Sequence, residues 1–146
     1  MKQLLLIISF LVSNLTFSQS PIILDEVRCL DISDNFSVFE DKTNSLTIKQ
    51  ISELPNAFST KSDWSYGHTK SAIWYKATIH NRQREKVFLV LAPAWTPSCE
   101  FFQIKHGIIQ QHKKGGTTAP FSNRDLLSNK HGFQIGLGKK DYYFKV

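Results

Sequence analysis

The chain lacks most of what would commit it to chemistry. It has no Gly-x-Ser-x-Gly and no Cys–His–Asn order, and Gly115-Gly116-Thr117-Thr118 is not followed by the lysine of a phosphate-cradling loop. The neighbouring carboxylates Glu40 and Asp41 would point to opposite faces of a strand, so they cannot act as a facing acid–base pair. Of five histidines (His68, His80, His106, His112 and His131), no pair has metal-ligand spacing with a third ligand nearby. No enzyme activity, cofactor or metal is expected. Cysteine is scarce too: Cys29 and Cys99 are the two present. In an oxidising compartment one bridge between them would close a loop of about seventy residues, worth ~2–4 kcal/mol. Their neighbours leave a bridge and two separate thiols equally open.

Acid becomes scarce after residue 63. Residues 19–63 carry eight acidic and four basic side chains, a net of −4, whereas 64–146 carry four and thirteen, a net of +9. A basic body invites a nucleic-acid reading, but the cations (Lys70, Lys76, Arg82, Arg84, Lys105) are scattered, with doublets at Lys113–Lys114 and Lys139–Lys140. They read as solvated strand edges and loops that block edge-to-edge pairing, and no nucleic acid is expected as a partner.

A long apolar run occurs once, at the start. Lys2 precedes Leu4–Val12, and small residues Thr16 and Ser18 sit at −3 and −1 of a cleavage before Gln19. Residues 1–18 thus read as a secretory signal peptide, too short in its apolar core to span a bilayer. No cysteine follows closely enough for a lipid anchor. Processing would leave 128 of the 146 residues, enough for one domain, exported to the periplasm or beyond and with no transmembrane helix.

What remains alternates as strands do. In Ser71–Asn81, Ile73, Tyr75, Ala77 and Ile79 fall on one side and Trp74, Lys76, Thr78 and His80 on the other. Val87–Ala92 is apolar throughout and reads as a mid-sheet strand covered on both faces. The two, joined by the charged turn Arg82–Lys86, are expected side by side. Phe36–Phe39 is a shorter strand candidate. Thr47 and Gln50 form a capping box, and Ile48, Ile51 and Leu54 recur at helical spacing until Pro55, predicting a short helix over 47–54. Residues 19–34 read as a leading arm or edge strand. Further strands are expected over 98–105 and 108–113 about a His106-Gly107 turn, and then around Phe133, Ile135 and Leu137. A turn over 138–141 would lead to a last strand from Tyr142 to Val146. Seven or eight short strands at this rhythm predict an all-β sandwich of jelly-roll type.

That order resembles a known family. Phe39-Glu40-Asp41, Leu46-Thr47, Trp74-Tyr75 with Asn81, Gly107, Gly115 and Tyr142-Tyr143-Phe144 match the pattern of the type-2 extracellular sensor domain of bacterial seven-transmembrane receptors with diverse intracellular signalling modules. The resemblance covers roughly residues 35–146. It implies a jelly-roll β-sandwich similar to carbohydrate-binding modules and a role in sensing ligands outside the cell. The family's membrane helices and output module do not follow in this chain, so the expectation is a receptor fragment, or a domain that works with a separate membrane receptor chain.

Within that reading Trp64, Tyr66 and Trp95 are the candidate ligand-binding residues, because loop aromatics can stack on the apolar face of a sugar; the alternative is that they cap the ends of the core. Trp74, on a strand, reads as core. The expected function is a ligand-sensing or binding domain, with a carbohydrate or other small polar ligand. The alternative is an interaction module that pairs with a partner chain through the sheet edge left by an unfinished last strand.

Overall fold

In a computed structural model the described residues are 20–26, 29–60, 69–91, 96–126, 128 and 130–146; residues 1–18, read above as a signal peptide, lie outside them. Eight strands and one short helix follow in the order β1 (Ile22–Leu24), β2 (Ser37–Asp41), α1 (Ile48–Ser52), β3 (Ala72–Asn81), β4 (Val87–Leu91), β5 (Cys99–Lys105), β6 (Ile108–Gly115), β7 (His131–Ile135) and β8 (Gly138–Lys145). Six of the strands make one sheet in the order β1-β3-β8-β5-β6, with β2 also on β3, and β4 and β7 make a second sheet. The architecture is the expected all-β sandwich.

β3 organises it. Its outer edge is shared: β1 runs parallel to Ile79–Asn81, and β2 antiparallel to Ala72–Lys76. The leading arm therefore supplies a strand to the main sheet. Alternation along β3 sends Ile73, Tyr75, Ala77 and Ile79 into the main core with Phe101, Phe133, Tyr142 and Phe144. Here Phe101 lies nearly parallel to Phe133, ring centroids 4.8 Å apart. The opposite face of the same sheet carries a second cluster of Trp74, Phe102, Ile104 and Tyr143, covered by Ile51 of α1 and by Phe58. The helix thus caps the outer face of the sheet, where burying one apolar stripe compensates its marginal length. Its capping box is formed, with Gln50 N–H donating to the Thr47 hydroxyl at 3.4 Å and Thr47 N–H to Gln50 Oε1 at 2.9 Å.

Three expectations are corrected. First, β3 and β4 are not side by side: β4 pairs with β7, and the Trp74 and Phe88 strands belong to opposite layers. The Arg82–Lys86 turn carries the chain across the sandwich. Second, β4 is covered on one face. Leu89 and Leu91 are buried, but Val90 is 44% exposed, so a uniformly apolar sequence did not mean two covered faces. Third, residues 138–141 form no turn. Gly138 (φ +85°) starts β8, and Leu137 is exposed just before it. β8 lies in mid-sheet, paired with β3 over Trp74–Asn81 and with β5 over Glu100–Ile104, so the last strand offers no free edge to a partner. Its apolar half, Tyr142-Tyr143-Phe144, is buried between two long neighbours, which extends the pairing back through the polar residues. Cys29 and Cys99, for which a bridge and separate thiols were both open, are free thiols. Cys99 points from β5 into the main core while Cys29 is exposed on the arm.

Candidate functional site

Antiparallel register gathers several loops at one end of the main sheet. Asp41 pairs with Ala72, Trp74 with Lys145 and Lys145 with Glu100, so the segments 42–47, 69–71, 96–98 and the end of β8 converge. Between them lies a cleft of about 580 Å³, lined by Asn44, Thr69, Lys70, Ser71, Ser98, Glu100, Lys145 and Val146.

The rim is built from local hydrogen bonds. Asp41 is buried at the end of β2, and its carboxylate accepts from the Thr43 hydroxyl (2.6 Å), Thr43 N–H (3.0 Å) and Leu46 N–H (2.9 Å). Burial pushes this carboxyl up, but those bonds outweigh it and hold it below its ordinary value. The turn so fixed puts Asn44 in the left-handed region (φ +51°) at the cleft. On the facing side Ser71 donates its hydroxyl to Glu40 at 2.7 Å and its N–H to the Thr69 hydroxyl at 3.1 Å.

Charge is divided inside the cleft. Glu100 lies between Lys145 and Lys114 in the ladder and is bonded to His112 Nε2 at 2.7 Å. That imidazole stacks on Phe102, centroids 4.3 Å apart, and Phe102 stacks on Trp74. The Lys145 ammonium lies 5.5 Å over the Trp74 ring, whose buried indole N–H has no hydrogen-bond partner among the described residues. Neither Lys70 nor Lys145 makes an ion pair among the described residues, where the ion pairs are His112–Glu100 and Lys113–Asp125. The arrangement offers two cations without ion-pair partners among the described residues, one carboxylate and several hydroxyl and amide groups above an aromatic stack. It can recognise a small polar molecule.

Trp64, Tyr66 and Trp95 lie outside the described residues. The chain resumes after each segment at Thr69 and at Thr96, and Thr69 and Ser98 both line the cleft. The described histidines stay apart: His80 on β3, His106 in the hairpin turn, His112 against Glu100 and His131 buried on β7. Among the described residues no three His, Cys, Asp or Glu side chains are grouped to hold a metal. Lys70, Glu100 and Lys145 escaped the sequence reading. Alternation puts Glu100 on the face opposite Phe101, but only the register of three strands shows that it neighbours Lys145.

No helix among the described residues is long and apolar enough to cross a membrane. No curated protein sequence matches the chain significantly. The family model described as 7TMR-DISM extracellular 2 matches residues 33–146, which is most of the chain and spans every strand from β2 to β8. The protein therefore belongs to the 7TMR-DISM extracellular 2 family, the extracellular sensor domains of receptors.

Proposed function

We propose that this domain is exported by way of residues 1–18 and binds a small polar ligand, of carbohydrate type, in the cleft beside Lys70, Glu100 and Lys145. It passes that occupancy to a membrane receptor and catalyses nothing itself. The observation that carries the reading is the pair of lysines without carboxylate partners in a polar cleft. Ammonium groups, hydroxyls and a carboxylate at fixed positions suit a ligand with several oxygens, which binds by orientation more than by apolar area. Trp64, Tyr66 and Trp95 enter the proposal as stacking rings, because Thr69 and Ser98, a few residues further along the sequence, line the cleft.

Calorimetric titration of the processed chain with neutral and acidic saccharides at millimolar concentration tests this. Saturable binding that falls at least fivefold in Lys145→Ala and in Trp64→Ala is the expected result. A cooperatively folded sample that binds none of them would overturn it.

A further inference from the structure

Among the described residues the second sheet is two strands wide, and its two outer edges are treated differently. On β7, Gln134 N–H donates to Asp125 Oδ2 at 2.9 Å, and Leu126 packs so closely over Gly132 that a Cβ there would lie 2.8 Å from it. That edge is closed by the chain's own loop. On β4 nothing comparable is found among the described residues.

The same bond fixes which groups of β4 are left over. Because Gln134 turns its N–H away from β4, its cross-strand pair with Phe88 exchanges no hydrogen bonds. In an antiparallel ladder such pairs alternate with bonded ones, so the Gly132–Val90 pair exchanges none either. Phe88 and Val90 therefore direct their N–H and C=O groups to the outer edge, where no backbone partner is found among the described residues. Two donors and two acceptors at i and i+2 are the template for one more extended strand.

That edge opens into a cleft of about 1450 Å³, with β4 as one wall and the leading arm as the other. Its floor includes the side chains of Leu24, Phe36 and Phe144 from the main core. The rim mixes signs, with Arg84 and Lys86 on one side and Glu26 and Asp31 on the other, so net charge selects no occupant. Of the other edge strands, β6 is guarded by Lys113 and Lys114 and by a bulge opposite Gln103/Ile104, whereas Val87-Phe88-Leu89-Val90-Leu91 carries no charge at all.

We infer that β4 is a strand-acceptor site for an extended peptide segment of another protein, with apolar side chains at alternate positions. Five residues of β4 span about 17 Å. The guest adds a third strand to the small sheet, exchanges backbone bonds with Phe88 and Val90, and lowers alternate side chains onto Leu24, Phe36 and Phe144.

The probe is an acetylated, amidated seven-residue peptide alternating valine and threonine, compared with the same peptide N-methylated at every residue. Fluorescence polarisation should show binding by the first only, little changed by salt. Amide exchange should slow at Phe88 and Val90 on binding while the Gln134 amide is unaffected. Val90→Pro removes a donor that β7 does not use and should weaken binding at least tenfold; where that variant does not fold, the exchange measurement on the unaltered protein decides. The inference is overturned if neither peptide binds or if both bind equally. It is equally overturned if the Phe88 and Val90 amides are protected in the free protein, either at all concentrations or in a dilution-sensitive dimer of this chain.

Discussion

The side-chain oxygen of Gln103 accepts the backbone N–H of Gly136 at 3.1 Å, tying the middle of β5 to the link between β7 and β8. That link is where the chain crosses from the small sheet back to the large one. The Gly136 carbonyl in turn accepts from Asn81 Nδ2 and from the Tyr142 hydroxyl, both at 3.4 Å. Asn81 also accepts Gln83 N–H at 3.0 Å, starting the opposite crossing. One buried polar cluster therefore fixes both passages between the layers.

Gln103→Leu should destabilise the domain by about 1–3 kcal/mol, since it leaves a donor unsatisfied in a site that admits little water. Urea unfolding measures this. A change within about 0.5 kcal/mol would show that the crossing is held by other contacts.

Two glycines should respond differently to alanine. At Gly136 the new Cβ meets Lys140 Nζ at 2.3 Å, the far end of a flexible side chain that can swing away. At Gly116 (φ +108°) it meets Pro97 O at 2.4 Å and Ser98 Cα at 2.6 Å, both backbone. Gly136→Ala should cost under about 1 kcal/mol and Gly116→Ala more than about 3 kcal/mol, read from denaturation midpoints. Equal losses would contradict the packing described.

Asp41 predicts an acid limb. A carboxyl held below its ordinary 3.8 by its hydrogen bonds stabilises the fold above its unfolded value, and that contribution is lost as pH falls through the lower folded one. Thermal melting should therefore fall more steeply below pH ~4 in the natural protein than in Asp41→Asn. The variant should be less stable at pH 7. Parallel pH profiles would show that the carboxylate is not specifically held.

The two thiols should differ in reactivity. Burial raises Cys99 to about 11, against backbone bonding from Gly115 and with a smaller push from Glu100, while Cys29 is exposed. A chromogenic disulfide reagent at pH 8 should titrate one thiol in the native protein and two in denaturant. No reactive thiol in either state would mean that the two are bridged.

Much of this fold was legible because alternation is local. Trp74 could be placed in the interior, and the Thr47–Gln50 box foretold a helix start, from neighbours a few residues away. The layer to which a strand belongs is not local information. Val87–Leu91 reads as a central strand because every residue is apolar, yet it lies at a sheet edge, and nothing within five residues distinguishes the cases. Likewise Gly138-Lys139-Lys140-Asp141 has turn composition but is held extended by two neighbouring strands. The polar cleft was hidden for the same reason: Lys70, Glu100 and Lys145 stand far apart in sequence and meet through register. The aromatics Trp64, Tyr66 and Trp95 stand out in sequence as unusual for loops, a signal of composition and not of geometry.

Backbone amide shift mapping during saccharide titration reports directly on occupancy of the cleft. Progressive, saturable shifts are expected at Thr69–Ser71, Ser98–Glu100 and Lys145, with β4 silent. Spectra unmoved by millimolar sugar, or movement confined to the β4 edge, would contradict a sensing cleft at that end of the sandwich.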